Sequence, residues 1–138
     1  MAAGTRSRVA MLAGLLSAAL LPLPAMAQAT AEALAGEWRV FEMAGQVIDP
    51  SKEATLSFAD GRVAGKSFCN RYFAGFKASA TGFSTSQAGS TMMACPEPDM
   101  ALERTFLDLL LKATGAETAN GVLTVKASDG RTIKARRV

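Results

Sequence analysis

Gly65-Lys66-Ser67-Phe68-Cys69-Asn70-Arg71-Tyr72-Phe73 and Ser90-Thr91-Met92-Met93-Ala94-Cys95-Pro96 contain the chain's only cysteines, Cys69 and Cys95. The first segment lies between two runs that read as antiparallel hairpins, and the second leads into a helical pattern. A link between them would tie helix to sheet. Two thiols in a chain whose residues 1–27 read as an export signal favour a Cys69–Cys95 disulfide over a free or redox-active pair. There is no Cys-x-x-Cys spacing, and no obvious neighbouring base to lower a thiol pKa.

Before the first cysteine, Thr55-Leu56-Ser57-Phe58 and Arg62-Val63-Ala64-Gly65 flank Asp60-Gly61, a strong hairpin signal. Leu56, Phe58 and Val63 are expected to face inward. After it, Tyr72 to Ala78 and Phe83 to Gln87 flank Ala80-Thr81-Gly82 as a second pair, with Gly75 marking a bend or bulge. Gly36 to Met43 reads as a strand, with Trp38 and Val40 on the core face and Phe41 and Met43 on the other. Ala44 to Glu53, with Gly45, Asp49, Pro50 and Ser51, reads as a loop and a candidate contact surface.

After the second cysteine, Leu102, Phe106, Leu109, Leu110 and Ala113 repeat with helical period, predicting a core helix over Asp99 to Ala113 with a solvated charged face. Pro96 and Pro98 suit its start, Glu97 and Asp99 its dipole, and Gly115 its stop. Asn120-Gly121, Val122 to Lys126, Ser128-Asp129-Gly130 and Arg131 to Ala135 read as turn, strand, turn and strand. Arg136 and Arg137 could bind an acidic group, although charges protecting an edge strand are the commoner explanation. The expected fold is α+β and mainly β: an antiparallel sheet curled toward a small barrel and packed by one helix.

At the other end, Arg6 and Arg8 precede an apolar run from Val9 to Leu23, and Ala25-Met26-Ala27 has the small-x-small pattern of a cleavage site. The run is shorter than the roughly 20 residues of a membrane-spanning helix. Residues 1–27 therefore read as a signal peptide, residues 28–34 as a flexible lead-in and residues 35–138 as the folded domain. No cysteine near the site could carry a lipid, so no stable membrane anchor is expected after cleavage. The whole-chain charge of +3 includes Arg6 and Arg8; losing them leaves a nearly neutral chain. That gives no argument for a nucleic acid or an anionic membrane as partner.

The chain has no histidine, which excludes Ser-His and Cys-His nucleophile pairs and imidazole metal sites. Two cysteines and scattered carboxylates make a poor zinc site, and no spaced acidic loop suggests calcium. Gly65-Lys66-Ser67 is no phosphate loop, because position 60 is Asp and no helix pattern follows. No catalytic residue, metal or cofactor is assigned.

Gly65-x-x-x-Cys69-Asn70-Arg71-Tyr72-Phe73-x-Gly75, Thr91-Met92-Met93-Ala94-Cys95, Glu103-x-x-Phe106 and Leu123-Thr124-Val125, with the early Trp38, together resemble the META domain family, the HslJ-like heat-shock proteins. The resemblance covers roughly Ala35 to Ala135 and marks Asn70, Arg71, Tyr72, Thr91, Met93, Ala94 and Glu103 as family-motif positions. The family often has Gly where this chain has Phe68, and Arg where it has Met92. The resemblance implies a mainly antiparallel β fold with one helix, and a periplasmic or secreted, stress-associated, non-enzymatic protein.

The leading expectation is a cell-envelope protein that acts through an as yet unknown envelope protein partner. Two alternatives stand beside it. One is a small apolar ligand held in the curl of the sheet by Trp38, Phe58, Phe73 and Phe76, residues that more often simply fill a core. The other is a disulfide-braced protease inhibitor presenting the Ala44 to Glu53 loop.

Overall fold

The computed structural model describes Gly4, residues 13–21 and residues 28–138, without the side chains of residues 87 and 88. The Arg6 and Arg8 region and the Ala25-Met26-Ala27 site lie outside the described residues. Among those described, no helix is long and apolar enough to cross a membrane.

The elements in chain order are α1 (Ala31–Leu34), β1 (Gly36–Met43), β2 (Gln46–Val47), β3 (Thr55–Ala59), β4 (Arg62–Ser67), β5 (Asn70–Ser79), β6 (Gly82–Ser90), α2 (Glu97–Leu111), β7 (Ala113–Ala119), β8 (Val122–Ala127) and β9 (Thr132–Arg137). All strand pairs are antiparallel. The sheet runs β6-β5-β4-β3-β1-β9-β8-β7, with β2 attached to β1. Its end strands β6 and β7 lie beside each other, so it is a nearly closed barrel of eight strands with one main helix.

The turns follow from local chemistry. Asp60 and Gly61 both have positive φ, as do Asn120 and Gly121, the pattern of the two-residue turn that matches strand twist. Ala44-Gly45 makes the same turn between β1 and β2, inside the stretch read as a plain loop. The pairing shifts between Phe73 and Gly75, where a bend or bulge was expected.

A second irregularity corrects the facing of β1. The register shifts between Val40 and Glu42, so Met43 is buried with Trp38 and Val40 instead of pointing away. An inserted residue reverses the alternation beyond it. Phe41, at the irregularity, is half-buried beneath the Arg136 guanidinium, 3.8 Å from its ring centroid.

The lead-in is not free of the barrel. Thr30 caps α1, the Ala29 N–H donates to the Ala116 carbonyl at 2.7 Å, and Leu34 is fully buried. Trp38 explains the attachment: its buried indole N–H needs an acceptor and finds the Leu34 carbonyl at 2.9 Å.

α2 begins at Glu97, with Pro98 in its first turn, and ends at Leu111. Ala113 and Gly115 belong to β7, a strand not foreseen because Ala-Thr-Gly-Ala-Glu-Thr-Ala lacks the aromatic and aliphatic β-branched side chains that announce strands. Phe106, Leu109 and Leu110 are buried as expected, and so is Glu103. Leu56, Phe58, Val63, Leu123, Val125 and Ile133 complete the interior.

Candidate functional site

The two cysteine segments meet under α2. Cys69 and Cys95, 26 positions apart in the chain, form a disulfide with Cα atoms 5.9 Å apart. In the chain-entropy account a ring of this length stabilises by roughly 3 kcal/mol.

Beside it, Asn70, 3% exposed, is the centre of a closed polar network. Its Oδ1 accepts from the Thr91 hydroxyl at 2.9 Å and the Met93 N–H at 2.7 Å. Its Nδ2 donates to Glu103 Oε2 at 2.9 Å and the Met93 carbonyl at 3.2 Å. All four hydrogen-bonding positions of the amide are used. The Asn70 backbone N–H also donates to Glu103 Oε1 at 2.9 Å, and the Ser67 hydroxyl reaches the same oxygen. Glu103, 5% exposed, thus has hydrogen-bond donors at both oxygens. Among the described residues no buried side-chain polar atom is without a partner.

Arg71 and Thr91 exchange bonds, Arg71 N–H to Thr91 Oγ1 at 3.1 Å and Thr91 N–H to the Arg71 carbonyl at 2.9 Å. Gly65 pairs with Tyr72, whose hydroxyl donates to the Thr55 carbonyl at 2.7 Å. A Cβ at Gly65 would collide with that carbonyl, which is why the motif starts on glycine. Burial pushes the Tyr72 phenol far above its ordinary range, so it acts as a fixed donor.

Of the motif positions, Asn70, Arg71, Thr91, Met93 and Glu103 join one network, Tyr72 makes a separate buried bond, and Ala94 is exposed. Ser67 and Thr55 complete the arrangement and were not singled out in the sequence. Ser67 was findable: it holds an inward position of β4, two residues beyond Gly65 and four beyond buried Val63. Chemically the network offers saturated acceptors and committed donors; its work is to fasten α2 and the 90–95 segment to β4 and β5.

Phe68 occupies the left-handed region at φ 70, the conformation that suits glycine. Its ring compensates by burial, edge-on to Phe106 at 6.2 Å. Met92 is exposed.

The aromatic lining proposed for a ligand divides. Phe58 packs edge-on against Phe76 at 5.0 Å, and both are buried with Trp38. Phe73 is 46% exposed on the opposite face of β5, lying over Gly89 and beneath Arg62. Arg136 and Arg137 do not guard an edge either, since β9 lies inside the sheet between β1 and β8.

A helix-capped, nearly closed antiparallel barrel with this cysteine and asparagine motif defines a domain class, and residues 31–137 match the META domain family. The chain belongs to that family. Two NMR structures share its fold. One, of a protein from Burkholderia xenovorans, has TM-score 0.63 and 21% identity, covering 78% of this chain and 86% of that one. The other has TM-score 0.65 and 19% identity, covering 78% and 94%. No curated protein matches the sequence.

Proposed function

We propose that this META domain protein is exported to the periplasm or beyond and acts there by binding another protein rather than by catalysis, in a stress-associated role. The Cys69–Cys95 disulfide is the observation that carries this reading, because such bonds persist in oxidising compartments. The polar residues of the motif are spent on the Asn70–Glu103 network, which supports a structural use of the motif. Family membership supports the envelope and stress association. A ligand within the barrel would have to displace the stacked and edge-on rings of Phe58, Phe76 and Phe83, which supports binding on the outer surface.

Crosslinking in the native cells, followed by non-reducing mass spectrometry, tests each part. The expected product starts at Gln28, carries the disulfide and is joined reproducibly to one envelope protein. A cytoplasmic, reduced chain retaining its leader would refute export. Recovery of no partner, with normal heat and drug tolerance in a deletion strain, would refute the interaction role. A thiol-exchange activity abolished by Cys69→Ser would refute the non-catalytic assignment.

A further inference from the structure

Arg39 on β1 and Arg136 on β9 are direct partners across the strand pair, and both are exposed. Side chains so placed have Cβ atoms about 4.5–5.5 Å apart, and like charges there are destabilising. Two positions along β9 and three along β1, the same pair of strands makes the opposite choice: Glu42 and Lys134, also partners, form an ion pair at 3.3 Å. Among the described residues, neither Arg39 nor Arg136 nor neighbouring Arg137 has an ion-pair partner.

The guanidiniums are nevertheless held in place. Arg39 donates to the Pro50 carbonyl at 2.9 Å, Arg136 lies over the Phe41 ring, and Arg137 lies 4.2 Å from the Trp38 ring centroid. They border a groove of about 310 Å³ whose apolar side is Phe41, Ile48 and Pro50. Asp49 and Val138 also line the groove, and Asp49 stays charged, because the Ser51 N–H and hydroxyl donated to its Oδ1 hold its carboxyl below the usual range; an anionic ligand therefore belongs on the arginine side. Lys52, also on the groove, is paired with Asp99.

We propose that this groove binds an organic phosphate, with the phosphate shared by Arg39 and Arg136 and an apolar substituent lying along Phe41, Ile48 and Pro50. Guanidinium forks match phosphate oxygens, and one phosphate offers enough of them for two arginines at once. Bound phosphate also removes the repulsion between the two arginines. The volume lies at the small end of the ~300–1,000 Å³ usual for ligand pockets, which suits one head group with a short or ring-sized apolar part.

Titration calorimetry of the purified protein with phenyl phosphate and with inorganic phosphate tests the site. Phenyl phosphate should bind saturably and more tightly than inorganic phosphate. Arg39→Gln and Arg136→Gln should each weaken it about tenfold or more, the size of a lost charged hydrogen bond. Arg104→Gln, on the outer face of α2, should leave it unchanged. Melting temperatures of the two groove variants without ligand should hold or rise, which separates lost binding from lost folding. Sedimentation with phosphatidylglycerol vesicles, but not phosphatidylcholine vesicles, abolished by Arg136→Gln, would place the phosphate on a lipid head group; phenyl phosphate binding without it would place it on a soluble compound. No saturable binding of phenyl phosphate, or equal loss in Arg104→Gln, overturns the site. Equal affinity for inorganic phosphate overturns its apolar half.

Discussion

Replacing Phe68 by alanine and, separately, by glycine divides its contribution into packing and backbone. The side chain is 6% exposed and meets Phe106 edge-on, so truncation to alanine should cost about 3–5 kcal/mol. Both phenylalanine and alanine sit at φ 70 against a penalty of about 1–2 kcal/mol, which glycine escapes. Glycine in turn gives the unfolded chain more freedom, at a cost of about 0.4–1 kcal/mol. The difference leaves Phe68→Gly more stable than Phe68→Ala by about 0.5–1 kcal/mol, the reverse of the usual order. Urea unfolding, with midpoints compared at equal slopes, measures it. The same pair of changes at Thr124, in the regular strand β8, should give the usual order, alanine above glycine. If Phe68→Gly proves less stable than Phe68→Ala, the left-handed backbone before Cys69 is not what the domain holds in place.

Three further outcomes are expected. Reduction, or a Cys69→Ser and Cys95→Ser double variant, should lower unfolding stability by roughly 3 kcal/mol, and a much smaller change in urea titration would mean that the polar network alone holds α2 down. Asn70→Asp sets a second carboxylate against Glu103 and should cost about 3–5 kcal/mol near neutral pH. Part of that loss should return on acidification as one carboxyl of the pair takes a proton, whereas a loss constant with pH would contradict the facing carboxylates. The Asp108 carboxyl is held below its ordinary range chiefly by the Arg131 hydrogen bond, then by that of Lys112. Because its folded pKa is depressed, its stabilisation is present above the unfolded value and lost as pH falls through the folded one. Asp108→Asn should therefore flatten the acid limb of thermal stability below about pH 4, and an unchanged limb would count against this coupling of α2 to the turn that precedes β9.

Much of the fold was legible because its signals are local. Asp60-Gly61 and Asn120-Gly121 turn where turn chemistry places them, and Leu56, Phe58 and Val63 alternate inward as their spacing requires. Misplaced features depend on a distant partner. Met43 changes sides through an irregularity set by pairing with β9, and β7 forms from residues of weak strand preference because β8 presents a ladder to it. Leu34 looked like lead-in although its partner Trp38 is only four residues on, because the indole needs the Leu34 carbonyl only once the folded barrel has buried it.

By itself, the sequence determined the hairpins, the helix face, the cysteine pairing and the family, since each rests on short-range periodicity or on a motif. Only the tertiary structure decided what those features are for. It put Glu103, one acid among several on α2, opposite Asn70, because the helix rotation that buries Phe106 and Leu110 carries Glu103 inward with them. It also set Arg136 inside the sheet beside Arg39, turning two terminal charges into one side of a groove. Which charges meet depends on strand order, and strand order is a property of the folded chain as a whole.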